Sequence, residues 1–408
     1  MGIYQRFGVE PIIDCAGTSR FGGILTPEEV LAAMHEAAKE VVRLDELQAA
    51  ASKVLSQITG AEAGIVTSGA FAGLTLAAAA CIAGLDVSRM NRIPDTTGMP
   101  DEILIAKYQM GSYDRAVRIA GARLVPVDVP NQLYAPSMNY IPQPWEFEAA
   151  ICERTAAVLY IPYRGDISQP PLEEVIRVAH KHGVPVIIDA ATAIPPIANF
   201  RRYTAMGADL VTISGGKGLH GPKASGLLFG RRDLIASAAV QSMEMASISF
   251  DGWDPPATLI PKSELRGLPQ QGIGRGMMPT KEAIIGLLVA LELFTPERSA
   301  ALNAREKEVL ERVGSYLTGI PGIALEWGHY NPEARPQLKV RFDAKKAKRT
   351  VTQVTEKLRS GSPRIYVRGD STVYTTPDIP PDLLIVNGFN LDLRQADIVG
   401  GRLKEALG

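Results

Sequence analysis

Cysteine, histidine and tryptophan are scarce in this chain of 408 residues, which has only three, five and three of them. Cys15, Cys81 and Cys152 are odd in number, far apart and in no CxxC pair. That excludes a disulfide framework, argues against a thiolate zinc site and suits reduced thiols in a cytoplasm. No group of candidate ligands has metal-binding spacing, so no metal is expected. Net charge is also nearly absent, with 43 Lys and Arg against 44 Asp and Glu. Such a balance gives no long-range pull toward nucleic acid or an anionic membrane, and neither is expected as a partner. The opening MGIYQRFGVEPIIDCAGT lacks the basic head and apolar core of a signal peptide, and the alanine-rich run AGLTLAAAACIAG is too short for a membrane span. The expectation is a soluble, cytoplasmic protein.

What is present is globular: 46% hydrophobic and 21% charged residues, over a length that suits one large domain and a smaller one. Short apolar runs rich in β-branched residues recur as GIVTSG, EILIAK, ARLVPVDV, AAVLYIP, VPVIIDAA, ADLVTIS and SGLLFG. Most are apolar throughout, as strands covered on both faces are. Helical patterns separate them, among them DELQAAASKVLSQIT, AFAGLTLAAAACIAG, SYDRAVRIAG and PLEEVIRVAHKHG. This alternation predicts an α/β fold with a mostly parallel sheet. Beyond Gly276 a long helical stretch with a break at Thr295–Pro296 leads to LKVRFD, VTQVTEKLRS, RIYVRG and DLLIVNGFNL. The predicted division is an N-terminal segment 1–30, a large domain 31–289 and a small C-terminal α+β domain 290–408.

The stretch ADLVTISGGKGLHGPKASGLLFG sets Lys217 among glycines directly after an apolar strand. A nucleotide P-loop is a poor reading, because glycine follows the lysine where Ser or Thr is needed. A solvated surface lysine, a phosphate-binding point charge and an amine held for covalent chemistry remain open. Position bears on the choice, since open α/β sheets bind ligands at the carboxyl ends of their strands. Two other strand ends carry suggestive residues. In TSGAFAGL, Ser68, Gly69 and Ala70 would form a cup of free backbone N–H groups at a helix start, which favours phosphate. In IIDAAT, Asp189 ends a wholly apolar strand, where a carboxylate needs a cationic or protonated partner or else merely caps the next helix. A phosphate cup, an acid and a strand-end lysine, in that order, match what pyridoxal 5′-phosphate (PLP) needs for its phosphate, its ring nitrogen and its Schiff base.

With these motifs in view the chain resembles the PLP-dependent, fold-type I enzymes of the selenocysteine synthase-like group, in particular the D-glucosaminate-6-phosphate ammonia-lyase branch. The residues that carry the resemblance are IIDCAGTSRFGG, VVRLDELQ, GAEAGIVTSGAFAGL, IPDTTGMPDEILI, SYDRAVRIAGARLV, VPVIIDAAT and SGGKGLHGP, from about Ile12 to the helix near Leu293. It implies Lys217 as the cofactor lysine, Asp189 as the partner of the ring nitrogen and the TSGA loop as the phosphate cup. Ser214, which closes the strand before Lys217, is counted with the cofactor contacts. Two positions depart from the group. Relatives tend to carry His where AKYQMGSYD places Gln109, the point from which a side chain lies over the cofactor ring, and Tyr108 or Tyr113 could compensate. His220 stands where relatives often carry Arg, so it is a candidate for substrate recognition.

In the broad fold type, the residue that starts the long helix reaches the phosphate of the neighbouring subunit. The resemblance therefore implies a cofactor role for Thr280, which could equally cap that helix, and a homodimer or larger assembly with shared sites. Arg275 is the preferred shared-site cation. Arg20 and Arg368 are candidates for a substrate carboxylate or distal phosphate, since a guanidinium binds either in bidentate fashion. His180 and His182 read as structural. The activity implied is loss of ammonia and a β-hydroxyl from an amino acid or 2-amino sugar acid, of the D-glucosaminate 6-phosphate kind, to give a 2-oxo acid. Racemisation or aldol cleavage is the alternative. Selenium transfer onto seryl-tRNA is less favoured, for want of an RNA-binding segment or a basic-aromatic patch, and a PLP-holding signalling protein less still.

Overall fold

The computed structural model describes residues 2–128, 140–162, 169–329, 335–372 and 379–408. The chain divides into two compact units, one of residues 26–293 and one that joins residues 1–25 to 294–408.

The larger unit is built on one seven-stranded sheet. A two-residue strand, β1 (Ile13–Asp14), precedes it in the chain and belongs to the other unit. The sheet's strands are β2 (Ala63–Thr67), β3 (Glu102–Ala106), β4 (Arg123–Val127), β5 (Thr155–Tyr160), β6 (Val186–Asp189), β7 (Leu210–Ser214) and β8 (Gly226–Gly230), arranged in the order β2-β8-β7-β6-β5-β3-β4. From β7 to β4 all pairs are parallel, while β8 runs antiparallel to both β7 and β2. The carboxyl ends of all six strands other than β8 therefore lie on one edge, and β8 begins there. β2, β3, β5 and β8 are buried along their whole length, which is why their sequences show no polar alternation.

The helix Ala70–Ala83 follows β2 and is buried on nearly every side. Its small residues let it lie close to the sheet: a Cβ on Gly73 would come within 2.3 Å of the Thr212 hydroxyl. Burial of the whole helix fixes where its first turn sits. No described helix is long and apolar enough to cross a membrane.

In the other unit, β9 (Ile323–His329), β10 (Pro336–Phe342) and β12 (Leu383–Asn387) form an antiparallel sheet in the order β12-β10-β9, while β1 pairs in parallel with β11 (Ile365–Tyr366). The helices Pro296–Ser315, Val351–Arg359 and Leu393–Leu407 share its core, which includes Val309, Leu310, Val313, Leu338, Val340, Leu384, Val386, Val399 and Leu403. Two features were not visible in the sequence pattern. β9 is half-exposed and so lacks an apolar run, and the N-terminal residues, set apart as 1–30 in the sequence reading, contribute β1 to this C-terminal unit.

Candidate active site

Strand register gathers three motifs on one sheet edge. Gly226, the first residue of β8, is paired with Thr67 at the end of β2 and with Ser214 at the end of β7. Asp189, the last residue of β6, pairs with Thr212 of β7. Neighbouring strands are about 4.8 Å apart, so the helix start after β2 and the lysine loop after β7 are separated by roughly 10 Å.

Gly69 is the N-cap of the helix Ala70–Ala83, with φ of 133° and no side chain closing the cap. The first-turn N–H groups are therefore left for an external acceptor, and the helix dipole favours an anionic one. The Thr67 hydroxyl donates to the Gly69 carbonyl at 2.9 Å and holds the turn. From below, Gly226 presses on the same turn: a Cβ there would lie 2.6 Å from the Gly69 carbonyl carbon and 2.7 Å from the Ala70 nitrogen, whereas nothing comes within 4 Å of a Cβ built on Gly69. The cup is thus supported on the sheet side and open on the other. Gly226→Ala is expected to push the turn outward and weaken PLP binding at least tenfold, or about 1.4 kcal/mol, in an equilibrium titration; unchanged affinity would show that no phosphate is held there.

The glycines around Lys217 have a steric reason. A Cβ on Gly215 would meet the Ser225 hydroxyl at 2.3 Å, one on Gly216 the Lys223 backbone at 2.6 Å, and one on Gly218 the Ile194 carbonyl oxygen at 2.0 Å. The loop is wedged between the turn that leads into β8 and the segment after β6, so its backbone has one position and its half-buried lysine one origin. His220 is the one non-glycine among the described residues with a left-handed backbone, at φ 56°. Its N–H donates to the Lys217 carbonyl at 3.1 Å, and its side chain is buried. A residue held in that region costs free energy that the surroundings must offset, and such residues cluster at functional sites.

Asp189 accepts the Ala191 N–H at 3.1 Å. Burial pushes its carboxyl above the usual carboxylate range, opposed by that N–H and by the charge of Lys217. The raised acid is the observation that tests a fit to PLP: a buried carboxyl short of compensation is matched by a protonated pyridine nitrogen. The open cup and the strand-end lysine fit the phosphate and the aldehyde of the same group.

Gln109 is buried in the turn after β3, and both ends of its amide are engaged by the end of β5. Its Oε1 accepts the Ile161 N–H at 3.2 Å, while Nε2 donates to the Ile161 carbonyl at 2.9 Å and to the Tyr108 hydroxyl at 3.3 Å. The accepted N–H fixes which way the amide faces. Burial also raises the Tyr108 phenol, which therefore stays protonated. Four residues beyond Gln109, the Tyr113 ring centroid lies 5.8 Å from Lys217 Nζ.

The remaining candidates fall into two groups. In the larger unit, Thr280 accepts the Ala283 N–H at 3.2 Å and so caps the helix Lys281–Leu293, while Arg275 donates to Glu244 at 2.6 Å in a half-exposed ion pair. In the smaller unit, Arg20 donates to the Thr372 carbonyl at 2.6 Å, and Arg368 donates to the Ala16 carbonyl at 2.9 Å while its backbone bridges Ile385. His180 binds Asp209 at 2.7 Å and His182 binds Glu148 at 3.1 Å. The contact of Tyr113 with Lys217 and the packing roles of Gly216, Gly218 and Gly226 were not assigned from sequence, because their partners are remote in the chain.

Comparison with known proteins bears on what this edge binds. The DegT/DnrJ/EryC1/StrS aminotransferase family matches residues 28–214, and the aminotransferase class-V family matches residues 134–363, more than half of the chain. This chain belongs to the aminotransferase class-V family. The PLP-dependent, fold-type I architecture of that family agrees with the mostly parallel sheet, and PLP is the cofactor. A 5′-C-glycyluridine monooxygenase-decarboxylase from a Streptomyces species is 32% identical, over 97% of this chain and 91% of its own. A D-glucosaminate-6-phosphate ammonia lyase from Salmonella typhimurium is 29% identical, over 90% of this chain and 89% of its own. The solved structure of a D-glucosaminate-6-phosphate ammonia-lyase superposes with a TM-score of 0.77 at 26% identity, covering 100% of this class-V chain and 98% of the other.

Proposed function

We propose that this chain is a PLP-dependent ammonia-lyase. It removes ammonia and a β-hydroxyl from a 2-amino acid with a hydroxylated chain, of the D-glucosaminate 6-phosphate kind, and leaves a 2-oxo acid. The observation that carries the reading is the convergence of an open helix start, a buried raised acid and a wedged lysine on one sheet edge, in a chain that superposes along its length on such a lyase.

PLP, when bound, supplies a sink for the electron pair left on Cα. The first-turn N–H groups after Gly69 would hold its phosphate, Asp189 would keep a proton on its ring nitrogen, and Lys217 would anchor its aldehyde. The Lys217 amine is also the group that would take the Cα proton from the substrate and return one to the departing β-oxygen. Water lost in the elimination is regained when the nitrogen leaves, so the net products are ammonia and a 2-oxo acid lacking the β-hydroxyl. The working assembly is a homodimer or larger, with Thr280 and Arg275 contributing to a neighbour's site, while His220, Arg20 and Arg368 serve the substrate's anionic groups.

A second reading, oxidative decarboxylation of a 2-amino acid, is favoured by the Streptomyces relative, which is 32% identical. The two are separated by supplying D- and L-β-hydroxy amino acids, 2-amino sugar acids with and without a terminal phosphate, and a glycyl nucleoside, with and without oxygen. Equal release of ammonia and 2-oxo acid under anaerobic conditions is expected. Carbon dioxide released only with oxygen uptake would replace this reading by the second.

A further inference from the structure

Tyr113 is 62% exposed, yet its ring faces the amine of Lys217 at 5.8 Å. That distance is within the range at which an ammonium group and a ring face attract. Exposure on this scale rules out a core-packing role, so what holds the ring in place must be its neighbours. The turn Ser112–Asp114 supplies them: Asp114 is buried and its N–H donates to the Gly111 carbonyl at 3.3 Å, and the following Ala116 and Val117 are fully buried. The turn is anchored from behind and presents the tyrosine forward. Gln109 cannot supply an aromatic face, and its amide is held at both ends by Ile161.

We propose that Tyr113 is a positioning residue for Lys217, confining the side chain whenever its amine is not bonded to the cofactor. The proposal rests on the reading of Lys217 as the cofactor lysine. Amine exchange releases a long side chain with many rotamers, and each escape from the reacting carbon lowers the chance of proton transfer. A ring face beside the amine gives the freed ammonium a nearby resting place. The aromatic face is what matters in this role, and the phenolic hydroxyl is dispensable.

The test compares Tyr113→Phe with Tyr113→Leu; neither leaves a core cavity, because the side chain is largely exposed. In cofactor-free protein, Lys217 is labelled with an amine-reactive reagent and its peptide followed by mass spectrometry. Labelling is expected to be about three- to fivefold faster in Tyr113→Leu than in wild type, the size of an exposed cation–π contact, and unchanged in Tyr113→Phe. In the loaded enzyme, Tyr113→Leu should lower kcat by a similar factor with little change in KM. Wild-type labelling and kcat in the leucine variant, or a phenylalanine variant as impaired as the leucine one, would overturn the role. Because labelling needs no cofactor, failure of wild type to take up PLP overturns the reading of Lys217 itself, whereas uptake with unaltered labelling overturns only Tyr113.

Discussion

Lys217→Ala is expected to lower turnover by on the order of 10³-fold or more, because one substitution removes both the covalent anchor of PLP and the group that moves the Cα proton. Geometry makes it a clean experiment. The side chain is only half-buried and springs from a backbone fixed by Gly215, Gly216 and Gly218, so its loss opens no core cavity and leaves the loop where it was. The variant should unfold like the cofactor-free wild type and yield no lysine-linked PLP on borohydride reduction and peptide mapping. A small primary amine in the buffer should restore a fraction of the activity, since it replaces the proton carrier without its tether. Activity within tenfold of wild type would mean that Lys217 is a phosphate or surface lysine. Gly218→Ala provides a graded counterpart: it keeps the amine but forces the loop off the Ile194 carbonyl, and should lose turnover through misplacement alone.

The parts of this site that a reader of the sequence can find are those with a local physical cause. β3, β5, β7 and β8 show as unbroken apolar runs because both faces are covered, and the helix after TSGA announces its uncapped start by having only small residues there. Thr280 reads as a cap because capping is a three-residue relationship. What escapes is what depends on pairing between distant segments. β1 and β11 are two residues each and meet across some 350 positions of chain. Gly218 looks like any loop glycine until the Ile194 carbonyl, from the loop after β6, is found where its side chain would be. Gln109 reads as the residue from which a side chain lies over the cofactor ring, but no local pattern announces that its amide is tied to a strand end 52 residues away. Arg275 reads as a shared-site cation, and its pairing with Glu244 is one that no local pattern announces.

Asp189→Asn should act in opposite directions on stability and on catalysis. Burial holds the Asp189 carboxyl above its ordinary range, against the opposing Ala191 N–H and Lys217 charge. A carboxyl raised in the folded state binds its proton more tightly there than in the unfolded chain. Its contribution to stability is therefore complete below the unfolded value of about 3.9 and is lost as pH rises through the folded value. Above that window the cofactor-free protein has lost this contribution, and burial of the carboxyl counts against the fold. Asparagine keeps an acceptor for the Ala191 N–H and does not ionise. The cofactor-free variant should thus melt at the same temperature as wild type or about 2–4 °C higher at pH 7, with the difference closing toward pH 4. In the loaded enzyme the order reverses. A carboxylate can hold a proton on the cofactor's ring nitrogen and a neutral amide cannot, so turnover is expected to fall on the order of 10²–10³-fold, comparable to losing one preorganised electrostatic partner in a water-poor site. The rise in melting temperature on adding PLP should also be smaller in the variant, since the cofactor's ring nitrogen no longer meets an ionisable partner. Thermal melts across pH, with and without PLP, together with turnover under saturating cofactor, check all of these. Wild-type turnover in Asp189→Asn would reduce Asp189 to a turn residue that accepts one backbone N–H.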